Sequence, residues 1–324
     1  MTTTGRDHTM TDTGPRRLGG SELYVHPLNL GGNVFGWTAD ETTSFAILDA
    51  YRDAGGNFVD TADSYSVWAE GHTGGESETI IGRWLAARGR PDDFLVATKV
   101  SKHPRFPGLG ADNVHAAANA SLQRLGVEVI DLYYAHFDDP DTPIVESAAA
   151  FSALVDQGKV RSIGLSNHSP ERIAEWLRIC DAEGLHRPVC VQPQYNLVER
   201  GIEADLVPLA QKEDLALLPY FGLARGFLTG KYRHGNEDVS PRAAKARAYL
   251  DTERGPKVLA ALDGIAAERS VAPSTVALAW LVERPAVASV LSSARDLDQL
   301  QGLLALNEFR LSPEEAARLT QASA

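Results

Sequence analysis

The chain has 324 residues, 44% apolar and 23% charged, with a formal net charge of −12. That much apolar content supports a large core, as one barrel or as two domains, and no run of Lys and Arg is dense enough to track a phosphate backbone, which argues against a nucleic-acid partner. No segment approaches the ~20 consecutive apolar residues of a bilayer span, so no membrane contact is expected; the two cysteines, Cys180 and Cys190, lack a disulfide framework and read as reduced thiols of a cytoplasmic protein.

Residues 1–16 are rich in Thr, Gly and Asp, and a disordered tail is expected there, with one domain over 17–324. A strand over 24–32 ends at Gly31-Gly32. A helix over 41–54 carries Phe45, Ile47, Leu48 and Tyr51 at helical spacing and stops at Gly55-Gly56. The alternation then continues: strand 57–60, helix 76–88, strand 94–99, helix 111–125, strand 129–135, helix 143–157 and strand 160–165. Ser169 and Pro170 open a helix over 170–180 as N-cap and first-turn residue. Strand 189–192, helix 203–212 and strand 216–220 follow, then a charged surface connection over 235–256. Helices over 256–269 and 273–283, a strand over 287–291 and a helix over 296–304 complete the pattern.

Eight strands, each followed by a helix, are mostly solid runs of Val, Leu, Ile and Ala, as parallel strands buried on both faces require. Strict β-α alternation over this length predicts an α/β fold, a (β/α)8 TIM barrel. An open doubly wound sheet would carry a Gly-x-Gly-x-x-Gly turn after its first strand, and the chain has none.

Four polar residues lie at or just past strand ends: Asp60, Tyr65, Lys99 and His136. Strand carboxyl ends of a barrel converge on the face that carries the chemistry. Singly, such residues are ordinary: an Asp after a strand caps a turn, a Tyr packs, a Lys faces water. Together an acid, a phenol, an amine and an imidazole make a proton-transfer site. Reduction of a carbonyl needs a proton donor, and an ammonium beside Tyr65 is expected to lower the phenol's pKa from ~10. Asp60 would hold Lys99, and His136 would orient the substrate oxygen.

The stretch Phe58-Val59-Asp60-Thr61-Ala62-Asp63-Ser64-Tyr65 resembles the aldo-keto reductase signature, with acid and tyrosine five apart. Gly75-Glu76-Ser77-Glu78, Thr98-Lys99, Tyr134-Ala135-His136, Arg161 to Asn167, Val191 to Asn196 and Leu223 to Tyr232 are similar to further segments of that family. The resemblance implies an NADPH-dependent reductase of a small-molecule carbonyl compound, with Tyr65 as proton donor, Lys99 and Asp60 tuning it and His136 orienting substrate. It also implies that Ser166, Asn167 and Gln192 hold the nicotinamide carboxamide and that Tyr220 stacks on the ring. Phe221, Gly222, Leu223, Arg225, Gly226 and Lys231 would form the pyrophosphate loop, joined by Gly32 and Asn33 after the first strand. Ser293 and Arg295 would take the 2′-phosphate of NADP(H), with Gln299 near the adenine ribose. The chain departs from the family at Phe221-Gly222, where Ser-Pro is common, and at Gly302-Leu303, where Glu-Asn is common.

Phe35, Trp37, Trp68 and Phe137 are expected to form an aromatic substrate mouth. No carboxylate or phosphate clamp is read there, so aldehydes, ketones and sugars stay open, and the oligomeric state is not legible. Two rival readings stand: a cofactor-sensing, non-catalytic barrel subunit, and a metal-dependent barrel hydrolase using Asp60, His136, Asp138 and Asp139. For the second, no metal ligand set is expected, because Lys99 would repel a cation.

Overall fold

A parallel strand flanked by helices buries both of its faces, and apolar side chains must fill each. That is what the strands show in a computed structural model, which describes residues 14–233 and 243–324. The eight parallel strands are β3 (Leu28–Gly31), β4 (Phe58–Asp60), β5 (Leu95–Val100), β8 (Ile130–Ala135), β9 (Val160–Ser166), β10 (Pro188–Gln192), β11 (Ala216–Leu217) and β12 (Val290–Ser292). Two antiparallel hairpins stand outside this set: β1 (Arg16–Arg17) with β2 (Tyr24–Val25), and β6 (Lys102–His103) with β7 (Phe106–Pro107). The sheet order is β12-β3-β4-β5-β8-β9-β10-β11. Leu217 N donates to Ala286 O at 2.7 Å, Ala288 N to Leu217 O at 3.0 Å and Leu291 N to Pro219 O at 2.9 Å, which joins the last two strands and closes the ring. The fold is the expected (β/α)8 barrel.

Every residue of β3, β4, β5 and β8 is buried. Successive side chains of a strand point to opposite faces, and the two faces go to two separate clusters. Val59, Val96, Val100, Tyr133, Val191 and Leu217 pack outward against the helices. Phe58, Leu95, Ala97, Leu132, Tyr134, Cys190 and Leu218 fill the barrel interior. Gly164 in β9 is required by this filling, since a Cβ there would sit 2.5 Å from the Tyr134 ring and 3.0 Å from Cys190 Sγ. Two residues beyond the interior set come Asp60 after Phe58, Lys99 after Ala97, His136 after Tyr134, Gln192 after Cys190 and Tyr220 after Leu218. The period of two thus sets one polar layer on top of an apolar one.

The first hairpin lies under the barrel. Leu18 and Val25 belong to the interior cluster, and an Arg16 guanidinium nitrogen donates to Val282 O and, at 3.1 Å, to Val287 O. Arg16, assigned to the tail from sequence, is therefore part of the folded domain; residues 1–13 of that tail lie outside the described residues. The strand expected over 24–32 is two strands, because Pro27 has no N–H for a ladder and the chain turns there from the hairpin into the barrel wall. Within the connection expected over 235–256, residues 234–242 lie outside the described residues, and Ala243–Arg247 and Ala248–Asp251 are helical. Ala243 and Ala246 are buried there and Tyr249 packs on the main core, so apolar contacts shape a segment that its charge made look like loop. A helix not read from sequence, Pro313–Ala322, starts with a capping box between Ser312 and Glu315.

Candidate active site

The chain leaves β4 at Asp60 and stays against β5, with Thr61 N donating to Ala97 O at 2.8 Å and Asp63 N to Lys99 O at 3.2 Å. A turn at Ser66, whose φ of 70° is left-handed, is tied by its hydroxyl to Phe35 O at 3.1 Å. This turn folds Tyr65 back over the barrel mouth. Lys99 Nζ donates to Asp60 Oδ1, to Thr61 O at 2.7 Å and to Tyr65 Oη at 3.1 Å. Tyr65 Oη lies 3.3 Å from the same Asp60 oxygen, and Gln192 Nε2 donates to Asp60 Oδ2 at 2.8 Å. Asp60 and Lys99 have no solvent exposure. The His136 ring meets the Tyr65 ring edge-on, centroids 6.1 Å apart, and its buried Nδ1 has no hydrogen-bond partner among the described residues. The four strand-end residues are thus brought together.

The electrostatics differ from the expectation in one respect. Burial pushes the Tyr65 phenol well above its ordinary pKa, and the Asp60 charge and hydrogen bond push it further. Lys99 was expected to lower that value; instead its own pKa is pulled down by burial, against the opposing pull of Asp60. Sequence shows which groups are neighbours but not how completely water is excluded, and here exclusion prevails. His136 is held well below the ordinary imidazole value by burial, then by Lys99 and Lys102, so it is neutral at pH 7. Cys180 and Cys190 are free, and burial pushes their thiols up to about 11 and about 12.

Around this core the other sequence-assigned residues fall into three groups. Asn167, at a left-handed φ of 56°, donates to His136 O at 2.9 Å and Ser166 Oγ at 3.0 Å, and accepts from Tyr220 Oη at 2.7 Å. Ser166 Oγ donates to Gln192 O at 2.9 Å. These amide and hydroxyl groups form one connected rim beside Tyr65. Past Tyr220 the backbone is left-handed at Phe221 (54°), Ala224 (47°), Arg225 (61°) and Gly226 (94°). Within this turn Ala224 N donates to Phe221 O at 2.7 Å and Gly226 N to Leu223 O at 2.8 Å. A Cβ at Gly226 would come within 3.2 Å of Lys231 Cε, and the Arg225 guanidinium lies 4.0 Å over the Phe221 ring. Gly222 is packed against Leu278 and Leu281. Gly32 N donates to Asp60 O at 2.8 Å, and Ser293 Oγ bonds Asn33 Oδ1. Arg295 is exposed; its backbone N–H donates to Gln299 Oε1 at 3.2 Å, and Asp296 caps the helix Leu297–Leu304. The residues present fit a dinucleotide: amide and hydroxyl groups beside Tyr65, a left-handed turn bearing Arg225, and an exposed Arg295.

Trp37, Trp68 and Tyr65 form an edge-to-face chain, with centroids 5.6 and 6.2 Å apart. Phe137 lies against His136 at 4.9 Å. Phe35 is a correction: it has no exposure and belongs to the main core, because its loop curls back under Gly32 rather than facing the mouth. Asp138 is engaged by Arg172 at 2.8 and 2.9 Å, and Asp139 by Leu109 N and Thr142 Oγ1 at 2.7 Å. Among the described residues no three His, Cys, Asp or Glu side chains are grouped to hold a metal ion. Sequence reading passed over two charged residues beside the site, Asp63 and Lys102. Each stands three residues past a strand-end member, Asp60 and Lys99, beyond the reach of the strand period.

The model of the Aldo/keto reductase family matches residues 27–324. The chain is 31% identical to Protein tas of Escherichia coli strain K12, over 94% of this chain and 95% of that protein. It is 32% identical to Aldo-keto reductase YhdN of Bacillus subtilis strain 168, over 94% and 90%. It is also 32% identical to a probable voltage-gated potassium channel subunit beta of Oryza sativa subsp. japonica, over 88% of each.

Proposed function

Because the chain belongs to the aldo/keto reductase family, we propose that it reduces an aldehyde or ketone to the alcohol in the cytoplasm, with NADPH as hydride source and Tyr65 as proton donor. One observation supports this most: Lys99 Nζ bridges Asp60 and Tyr65 Oη, the latter at 3.1 Å, beside the His136 ring.

When bound, the reduced nicotinamide supplies the hydride that forms the new C–H bond. The chain's own residues manage the proton. The raised pKa of Tyr65 keeps the hydrogen on its oxygen until negative charge builds on the substrate oxygen, a stronger base, which then takes it. The O–H bond of Tyr65 breaks, the alcohol O–H forms, and the phenolate left behind faces the Lys99 ammonium. Neutral His136 donates an N–H to the carbonyl oxygen and fixes its direction. Ser166, Asn167 and Gln192 would hold the carboxamide, Tyr220 the ring face, and the loop bearing Arg225 and Lys231 the pyrophosphate. Asn33 and Ser293 would border the same groove. Arg295, with Gln299 beside it, would favour a 2′-phosphate over a free hydroxyl.

A second reading has one observation behind it: a relative named as a probable potassium channel subunit favours a barrel that serves an assembly rather than turnover. The complete set of Asp60, Tyr65, Lys99 and His136 favours turnover. Tyr65→Phe decides between them. Against an aldehyde panel, wild type should oxidise NADPH, faster than NADH, and the variant should lose ~10²–10⁴ in kcat while still quenching NADPH fluorescence. No turnover by wild type on any aldehyde would favour the subunit reading; full turnover by the variant would remove Tyr65 as donor.

A further inference from the structure

We propose that Lys102 selects aryl aldehydes or ketones that carry an anionic group across the ring from the carbonyl, an inference that rests on the reductase reading above. Strand β5 ends at Val100, and Ser101 has a φ of 134°, a conformation that side chains with a Cβ rarely adopt. Its carbonyl accepts from Gly108 N at 3.0 Å, which ties off the β6–β7 hairpin. That strained turn redirects the chain directly after the catalytic strand, and the first residue beyond it is Lys102.

The turn brings Lys102 to the mouth. Its Nζ lies 4.8 Å over the Phe137 ring, which is itself 4.9 Å from the His136 ring. Lys102 is exposed, and it forms no ion pair among the described residues. The nearby acids are hydrogen-bonded elsewhere, Asp138 by Arg172 and Asp139 by Leu109 N and Thr142, although the Lys102 charge still acts on the Asp139 carboxylate from a distance. The field of Lys102 reaches His136 and helps keep that imidazole neutral. One aromatic side chain therefore separates a carbonyl-orienting imidazole from an exposed ammonium. Trp37 and Trp68 supply further aromatic surface next to Tyr65. An aromatic ring can lie against these surfaces with its carbonyl at Tyr65 and an acidic substituent at Lys102, where a flexible, exposed ammonium accepts a carboxylate or phenolate at little cost in desolvation.

The test compares 4-formylbenzoate with its neutral methyl ester. The ratio of their kcat/KM values should fall about five-fold in Lys102→Met, return in Lys102→Arg, and shrink for wild type in high salt. An identical ratio in wild type and Lys102→Met would overturn the assignment. If wild type reduces neither aldehyde, kinetics on this pair is silent, and only failure across the whole panel counts against the reductase reading. Calorimetric titration with 4-formylbenzoate then judges Lys102 by itself: weaker binding by Lys102→Met supports the assignment, and equal binding overturns it.

Discussion

Asp60 and Asp63 lie three residues apart at the end of β4, and neither is exposed to solvent. Asp60 faces the barrel interior, where Lys99 and Gln192 donate to it. Asp63 has no hydrogen-bond partner of good geometry on either oxygen. Burial and the neighbouring charge of Glu78 push its pKa up to about 8, against the weaker pull of Arg124 and Ser64. Arg124 is committed elsewhere, donating to Glu78 at 2.6 Å. Two acids with the same burial thus stand in different company: one is bonded to a cation and the other is not. Excluding water favours protonation of a carboxylate that lacks a counter-ion.

Removing the counter-ion should abolish the difference, with the largest effect. Lys99→Met leaves Asp60 buried without a cation, and urea unfolding should show a loss of about 3–5 kcal/mol, together with loss of carbonyl reduction. A loss under about 1 kcal/mol would mean that Asp60 does not depend on Lys99.

Asp63→Asn imitates the protonated acid and gives a smaller effect, visible as pH dependence. The folded state keeps a proton that the unfolded chain releases above the ordinary value of 3.8. The stability tied to it is complete below that value and is lost as pH rises through about 8. Wild type should therefore lose up to about 1.4 kcal/mol per pH unit in that window, and Asp63→Asn should have a flatter profile in unfolding measured from pH 5 to 9. Parallel profiles would show Asp63 ionised in the native protein.

Glu78→Gln gives the smallest change. With one negative neighbour gone, the Asp63 titration midpoint, read by carbon NMR of labelled aspartate, should move down by about one pH unit or less. No movement would leave burial as the whole cause.

These contrasts also mark what the sequence could disclose. Asp60, Lys99, His136, Gln192 and Tyr220 were legible because each ends an apolar run, and alternation along a strand puts such residues on the inner wall. The fates of Asp63 and Lys102 were not, because both lie past strand ends, where a turn rather than a period sets direction. The same holds for Phe35, whose loop folds inward. The sign of the Tyr65 shift was missed for another reason: it depends on how many surrounding groups exclude water, a quantity summed over the whole barrel mouth. The helix Pro313–Ala322 could have been read from Ser312-Pro313-Glu314-Glu315, whereas Ala243–Arg247 owes its form to contacts distant in sequence.

The hairpin beneath the barrel has a consequence for traffic. Leu18 and Val25 act as a stopper at the floor, beneath an interior that side chains already fill. Lys99 is thus sealed from below, and the open approach among the described residues is from above, on the side where Tyr65 meets the half-exposed Trp68. The ring of strands works as a well, not a tunnel.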